Sequence, residues 1–224
     1  MTSDSRKIVV FSPHPDDDVL ACGGTIALKA REGFGIFIVY MTDGRHSLSH
    51  VLGITADPSP EQVSRVRQEE ALAAVRVLGI PHAANLIFLG FEDGTLESHI
   101  GEATTTVKSI IERIAPIQIY YPSKLDSHRD HRSTNMIVTT AVNQIGAKPR
   151  QFEYVVWGDG EEESGAKGSS VRVRIADVLE LKREAVHQHK SQVTTPFPSQ
   201  SKPVLGPEFV QRFLSEYEEF CEVS

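Results

Sequence analysis

A histidine and three consecutive carboxylates, His14, Asp16, Asp17 and Asp18, stand on one short turn within VVFSPHPDDDVLACGGTIA, residues 9–27. Adjacent anions on one turn repel each other, and a nearby cation relieves the repulsion. An imidazole beside carboxylates is a ligand set for a first-row metal, zinc foremost; a solvated acidic turn is the alternative. A second polar constellation, Asp126-Ser127-His128-Arg129-Asp130-His131, lies far downstream. A catalytic zinc takes three protein ligands and keeps a position open for water. His14 and Asp17 supply two, and either His128 or His131 could supply the third, since their i, i+3 spacing lets one bind while the other stays in the pocket. Zinc lowers the pKa of its bound water to about 7. Asp16, beside a ligand carboxylate, can take the proton as general base, an effect worth roughly 10²- to 10⁴-fold in rate. The remaining His could donate a proton or stabilise an oxyanion; for that it should be cationic, and Asp130 is placed to hold it so. Together these groups describe hydrolysis of an unactivated carbonyl, most naturally an amide.

The elements that position these groups read as alternating strands and helices. Ile8, Val9, Val10 and Phe11 form a buried strand that stops at Pro13 and Pro15, and Gly23-Gly24 opens a helix over 25–31. Residues 36–41 form a second strand running into Thr42-Asp43-Gly44, and 45–60 read as a long loop, a candidate lid. A helix over 61–78 closes at Gly79. At about 100° per residue Arg67 and Glu70 fall inside its apolar face. They are expected as an ion pair at the stripe's edge with heads in water, or as support beneath the metal turn. A third strand over 85–89 precedes Glu92-Asp93-Gly94, which also suits a turn; a helix over 101–115 and a fourth strand over 117–121 follow. An amphipathic helix carrying Ile137, Val138, Ala141, Val142 and Ile145 comes after the second constellation.

This order implies an α/β fold, a Rossmann-like three-layer sandwich with a mainly parallel sheet. Parallel strands end on one edge, where ligands bind. His14, Asp16, Asp17, Asp43, Asp93, His128 and His131 all follow strands, so they converge on one crevice. Further on, 152–157 and 171–175 read as strands flanking EEESGAKGSS, able to pair as an antiparallel hairpin in the C-terminal third. Asp177 caps a helix running to about 190, with His189 as a satisfied core residue on its apolar stripe. A loop over 191–207 and a terminal helix over 208–220 complete the chain.

The 224 residues, 40% of them hydrophobic, fit one domain, 1–224. A net charge of −7 and no basic run argue against nucleic acid. There is no apolar run to span a bilayer and no charged leader with an apolar segment, so a soluble, cytoplasmic protein is expected. Cys22 and Cys221 form no CxxC pair, so neither a disulfide framework nor a thiolate zinc site is indicated. A nucleotide-binding α/β protein would show G-x-G-x-x-G after its first strand, and Gly23-Gly24 lacks that spacing.

PHPDDDVLACGGT followed by DSHRDH resembles the LmbE-like, PIG-L-like family, zinc enzymes that remove the acetyl group from N-acetylglucosamine units of sugar conjugates. RQEEALAAVRVLG, FLGFEDG and KREAVHQHKSQ look like further family blocks in the family's order. The resemblance implies one Zn²⁺ per chain, or another divalent transition metal, held by His14, Asp17 and His131. It implies Asp16 as general base, and His128 stabilising the tetrahedral intermediate with Asp130 tuning it. Asp43, Arg45, Arg67 and Asp93 are the candidate substrate-binding residues. Asp18 stands where the family usually has Glu, and Arg45 where an acidic residue usually follows Gly44; that loop should border the sugar pocket. The implied partner is a small N-acetylated sugar conjugate, and a homo-oligomer is compatible with the resemblance. Rival substrates are an acylated antibiotic amino sugar or a thiol-sugar conjugate. A non-catalytic sugar-binding module should have lost a ligand or the base, and none is lost.

Overall fold

Runs of β-branched and apolar residues alternate with amphipathic stretches through the first two thirds of the chain, and each run becomes a strand of one sheet. The computed structural model describes residues 6–80, 82, 85–146, 148–158 and 168–223. β1 (Lys7–Ser12), β2 (Gly35–Thr42), β3 (Leu86–Phe91), β4 (Gln118–Pro122) and β5 (Arg150–Tyr154) pair in parallel in the spatial order β3-β2-β1-β4-β5. Between them run α1 (Asp17–Arg31), α2 (Ser47–Leu52), α3 (Pro60–Val77), α4 (Ile100–Ile114) and α5 (Arg129–Asn143). Side chains alternate along β1: Ile8 and Val10 join the core shared with α1 and α3, whereas Val9 and Phe11 join the core shared with α4 and α5. This is the expected three-layer α/β arrangement. From β1 the chain winds outward to β2 and β3, and later to β4 and β5 on the other side. The crevice at that reversal lies between the C-terminal ends of β1 and β4. Both polar constellations follow those two strands.

Local boundaries differ from the sequence expectations for identifiable reasons. α1 starts at Asp17, so Gly23-Gly24 lies inside it; a Cβ at Gly24 would fall 2.6 Å from Ile175, and the missing side chain is what lets the helix pack there. The 45–60 stretch is not all loop, since α2 forms and ends at Gly53, whose φ of 71° suits glycine. Asp177 makes no side-chain cap; it sits in a 3₁₀ turn, Ala176–Val178, and the helix expected beyond it divides into α6 (Leu179–Val186) and α7 (Lys190–Val193).

The C-terminal third departs more. β6 (Ser169–Arg174) and β7 (Tyr217–Val223) extend the sheet as β5-β7-β6, with β7 antiparallel to both neighbours. The segments near 152–157 and 171–175 therefore do not pair with each other, because β7 lies between them. Of the EEESGAKGSS stretch, residues 161–167 lie outside the described residues. No terminal helix covers 208–220: α8 (Pro207–Gln211) is short, and β7 turns Glu218 and Phe220 inward and Glu219 outward. A charge at an inward position masks the period-two pattern. Glu218 is buried because its carboxylate accepts hydrogen bonds from Gly24 N (2.7 Å) and Thr25 N (2.8 Å) of α1 and from Lys182 Nζ of α6 (2.7 Å). Among the described residues no helix is long and apolar enough to cross a membrane.

Replacing Glu218 by Ala leaves a buried ammonium and two helix amides without their acceptor. The expected cost is about 3–5 kcal/mol of stability, read as a lower urea midpoint at unchanged slope. An unchanged midpoint would show that this ion pair does not anchor α1 to the sheet.

Candidate active site

The loop after β1 is folded by its own polar groups. Ser12 Oγ donates to the His14 carbonyl (2.7 Å) and accepts from Asp18 N (3.1 Å), and His14 N donates to Asp17 Oδ2 (2.9 Å). The acidic first turn of α1 also suits the positive end of the helix dipole. Asp17 Oδ2 thereby comes to lie 3.1 Å from His14 Nδ1 and 3.2 Å from His131 Nε2, the latter delivered by α5 from the other side of the crevice. The rings of His14, His128 and His131 gather with centroid separations of 4.7, 5.4 and 5.1 Å.

These groups fit a divalent transition metal. A tetrahedral ion with bonds of about 2.0–2.2 Å holds its ligand atoms roughly 3.3–3.6 Å apart, close to the spacing seen around Asp17 Oδ2. His131 Nε2 is fully buried and, despite that proximity, has no aligned hydrogen-bond partner, so a nitrogen is left facing the carboxylate. Electrostatics agree. Burial works against charge on His131, but Asp17 and Asp126 outweigh it and push its pKa up to about 9. Burial likewise opposes charge on His14, yet Asp93, Asp130 and Asp17 hold it well above the usual imidazole range. The cluster is built to contain positive charge, as protons on imidazole or as a metal ion.

Asp16 sits beside this cluster, and its partner comes from α3. Arg67 Nη2 lies 2.9 Å from Asp16 Oδ1 and donates to the Pro15 carbonyl (3.1 Å), while Nη1 donates to the Gly44 carbonyl (3.0 Å). Burial pushes the Asp16 carboxyl up to about 6, with Arg67 working in the opposite sense and Asp17 adding to the rise. The expected Arg67–Glu70 pair with heads in water does not form. Both residues are buried; Glu70 instead accepts from Ser191 N (2.7 Å) and Ser191 Oγ (2.6 Å), tying α3 to α7. His189 is buried but not satisfied: neither ring nitrogen has a hydrogen-bond partner among the described residues, and burial drives its pKa down to about 3.

Asp130 does not hold His128 through its carboxylate. Oδ2 accepts from Gly94 N (2.7 Å) and lies 3.3 Å from His14 Nε2, while Asp93 Oδ1 lies 3.2 Å from the same nitrogen. What joins Asp130 to His128 is its backbone N–H, which donates to His128 Nδ1 (3.2 Å) and caps α5. His128 is pushed down to about 4 by burial and by the charges on His14 and His131, so it is a neutral imidazole here. Asp93 Oδ2 accepts from His46 N (3.0 Å), and Asp43 Oδ2 accepts from Arg45 Nε (2.6 Å), which places Arg45 at the half-exposed rim. Asp18 lies beneath the site, accepting from Tyr40 Oη (3.0 Å), with burial raising its carboxyl to about 7. Asp126, the first residue of the second motif, meets His131 Nδ1 at 3.0 Å, a contact for which the sequence reading had no role. Its position two residues before His128 was the available signal.

Residues 9–142 match the family model described as PIG-L, GlcNAc-PI de-N-acetylase. The chain is similar to a probable N-acetyl-alpha-D-glucosaminyl L-malate deacetylase 2 of Bacillus cereus, 28% identical over 190 residues and 84% of each chain. It is similar to the diacetylchitobiose deacetylase of Thermococcus kodakarensis, 27% identical over 202 residues, 85% of this chain and 71% of that one. In fold it matches the N,N'-diacetylchitobiose deacetylase of Pyrococcus horikoshii with a TM-score of 0.70 at 22% identity, covering 98% of this chain and 84% of that one.

Arg67→Met would leave the Asp16 carboxylate buried without its counter-charge. Thermal and urea melts should show a loss of about 3–5 kcal/mol while zinc uptake by the folded protein persists. Wild-type stability in this variant would contradict a buried Asp16–Arg67 pair.

Proposed function

The chain belongs to the PIG-L family of de-N-acetylases, and we propose that it hydrolyses the N-acetyl group of an N-acetylglucosamine-type sugar conjugate with zinc as its metal. The observation that carries this reading is the position of Asp17 Oδ2, 3.1 Å from His14 Nδ1 and 3.2 Å from His131 Nε2 at the sheet's C-terminal edge, with Asp16 fixed alongside. The names of the relatives, deacetylases of a glucosaminyl malate and of diacetylchitobiose, support the substrate class.

His14, Asp17 and His131 would hold the metal. Zinc bound there supplies a Lewis acid that polarises the acetamide oxygen and lets water give up a proton near neutral pH. Arg67 engages Asp16 at Oδ1, and Oδ2 has no hydrogen-bond partner among the described residues. Asp16 takes the proton of the attacking water at that oxygen, and a carboxyl near 6 suits a base that must later return the proton to the departing amine. His128 accepts at Nδ1 from the helix backbone, which leaves Nε2–H as a neutral donor toward the developing oxyanion. Asp130 acts on both sides of this arrangement, capping through its N–H and steadying His14 through its carboxylate. Arg45 and Asp43 at the rim are placed to meet the sugar; Arg67 and Asp93, more deeply buried, would act on substrate through Asp16 and His14.

Two outcomes test this. Chelator-stripped protein is expected to release no acetate from N-acetylglucosamine conjugates and to regain release when zinc is restored; metal-independent release, or none from any conjugate with zinc bound, overturns the reading. Asp16→Asn is expected to keep its zinc and lose 10²- to 10⁴-fold in kcat. Turnover equal to wild type would remove Asp16 from the role of base.

A further inference from the structure

Asp126 is buried at the foot of α5 and both of its carboxylate oxygens are engaged. Oδ1 accepts from His128 N (2.9 Å). Oδ2 accepts from Val156 N (2.9 Å) and Trp157 N (3.0 Å), in the segment following β5, and lies 3.0 Å from His131 Nδ1. Two backbone amides from one strand end and one from the helix cap therefore fix this carboxylate before it meets the imidazole. Its accepting role toward the amides leaves it no proton to give, so His131 must be the donor at Nδ1. A neutral His131 then carries its lone pair on Nε2, the nitrogen that faces Asp17 Oδ2 without a hydrogen-bond partner.

We propose that Asp126 is a positioning residue for the metal centre, fixing the Nδ1–H tautomer and ring orientation of His131 so that Nε2 is presented to the ion. The inference rests on the metal reading above and extends it to a residue outside the ligand set. A carboxylate behind a ligating imidazole raises its basicity and holds its plane, and losing such a partner typically lowers metal affinity 10- to 100-fold. Asp126 also reaches His128 through the backbone, so one carboxylate sets the position of both histidines on this side of the crevice. The 155–157 segment thereby becomes part of the site, since its amides hold the carboxylate in place.

Asp126→Asn keeps the shape but replaces one acceptor oxygen with an amide NH₂. In either orientation that group opposes at least one N–H donor. Zinc affinity by chelator competition should fall 10- to 100-fold, and Asp126→Glu, which retains the acceptor charge, should recover part of it. A purely structural role predicts a lower melting temperature with unchanged affinity in the folded fraction, and that result overturns the proposal. Long-range proton–nitrogen spectra of zinc-loaded wild-type protein give an answer that needs no variant: His131 should carry its proton on Nδ1. A proton on Nε2 contradicts the assignment. Failure of wild-type protein to bind zinc would instead count against the metal reading itself.

Discussion

Burying a carboxylate costs several kcal/mol unless positive charge meets it, and the edge of this sheet buries Asp16, Asp17, Asp93, Asp126 and Asp130 around one crevice. The structure answers that requirement locally. Arg67 meets Asp16, while His14 and His131 meet the rest. Asp17 is the hinge of the arrangement, because one of its oxygens is close to both imidazoles and to the amide of His14. A single divalent ion in contact with these three side chains would take the place of the two imidazole protons in offsetting the carboxylates and supply the polarising charge that amide hydrolysis needs.

The scaffold makes such crowding affordable by fixing each group from a separate element. The strand order reverses between β1 and β4, which opens the crevice and points two loops into it. Helix α3 reaches across with Arg67 and is itself held to α7 through Glu70 and Ser191. The antiparallel strand β7 locks α1 from below through Glu218. Charged residues at inward positions of the outer elements thus serve the placement of the inner ones.

How much of this was legible in the sequence follows from what each signal depends on. Strands β1 to β4 and helices α1, α3 and α4 were legible because apolar runs and helical periodicity are local; the short α2, with one buried residue, read as loop. The convergence of His14, Asp17 and His131 was legible too, since parallel strands must end on a common edge. β7 was not, because Glu218 breaks its alternation and its reason for pointing inward lies on α1 and α6. Arg67 and Glu70 read as an ion pair at the edge of the α3 stripe or as support beneath the metal turn; Arg67 lies against that turn at Asp16 and Pro15, while Glu70 found Ser191, distant in sequence. The same distance hid the true neighbour of Asp130: its carboxylate faces His14 across the crevice, while only its backbone touches His128. Residues that act through long-range contacts carry no local mark of what they touch.

The central claim is that one ion joins the β1 turn to α5, and anomalous diffraction at the zinc edge from crystals of the zinc-loaded protein tests it most directly. The account predicts a peak bonded to His14, Asp17 and His131. A peak bonded instead to His14, Asp93 and Asp130, or to His14, His128 and His131, the two groups of described residues whose donor atoms all lie within 4.8 Å of one another, would contradict it.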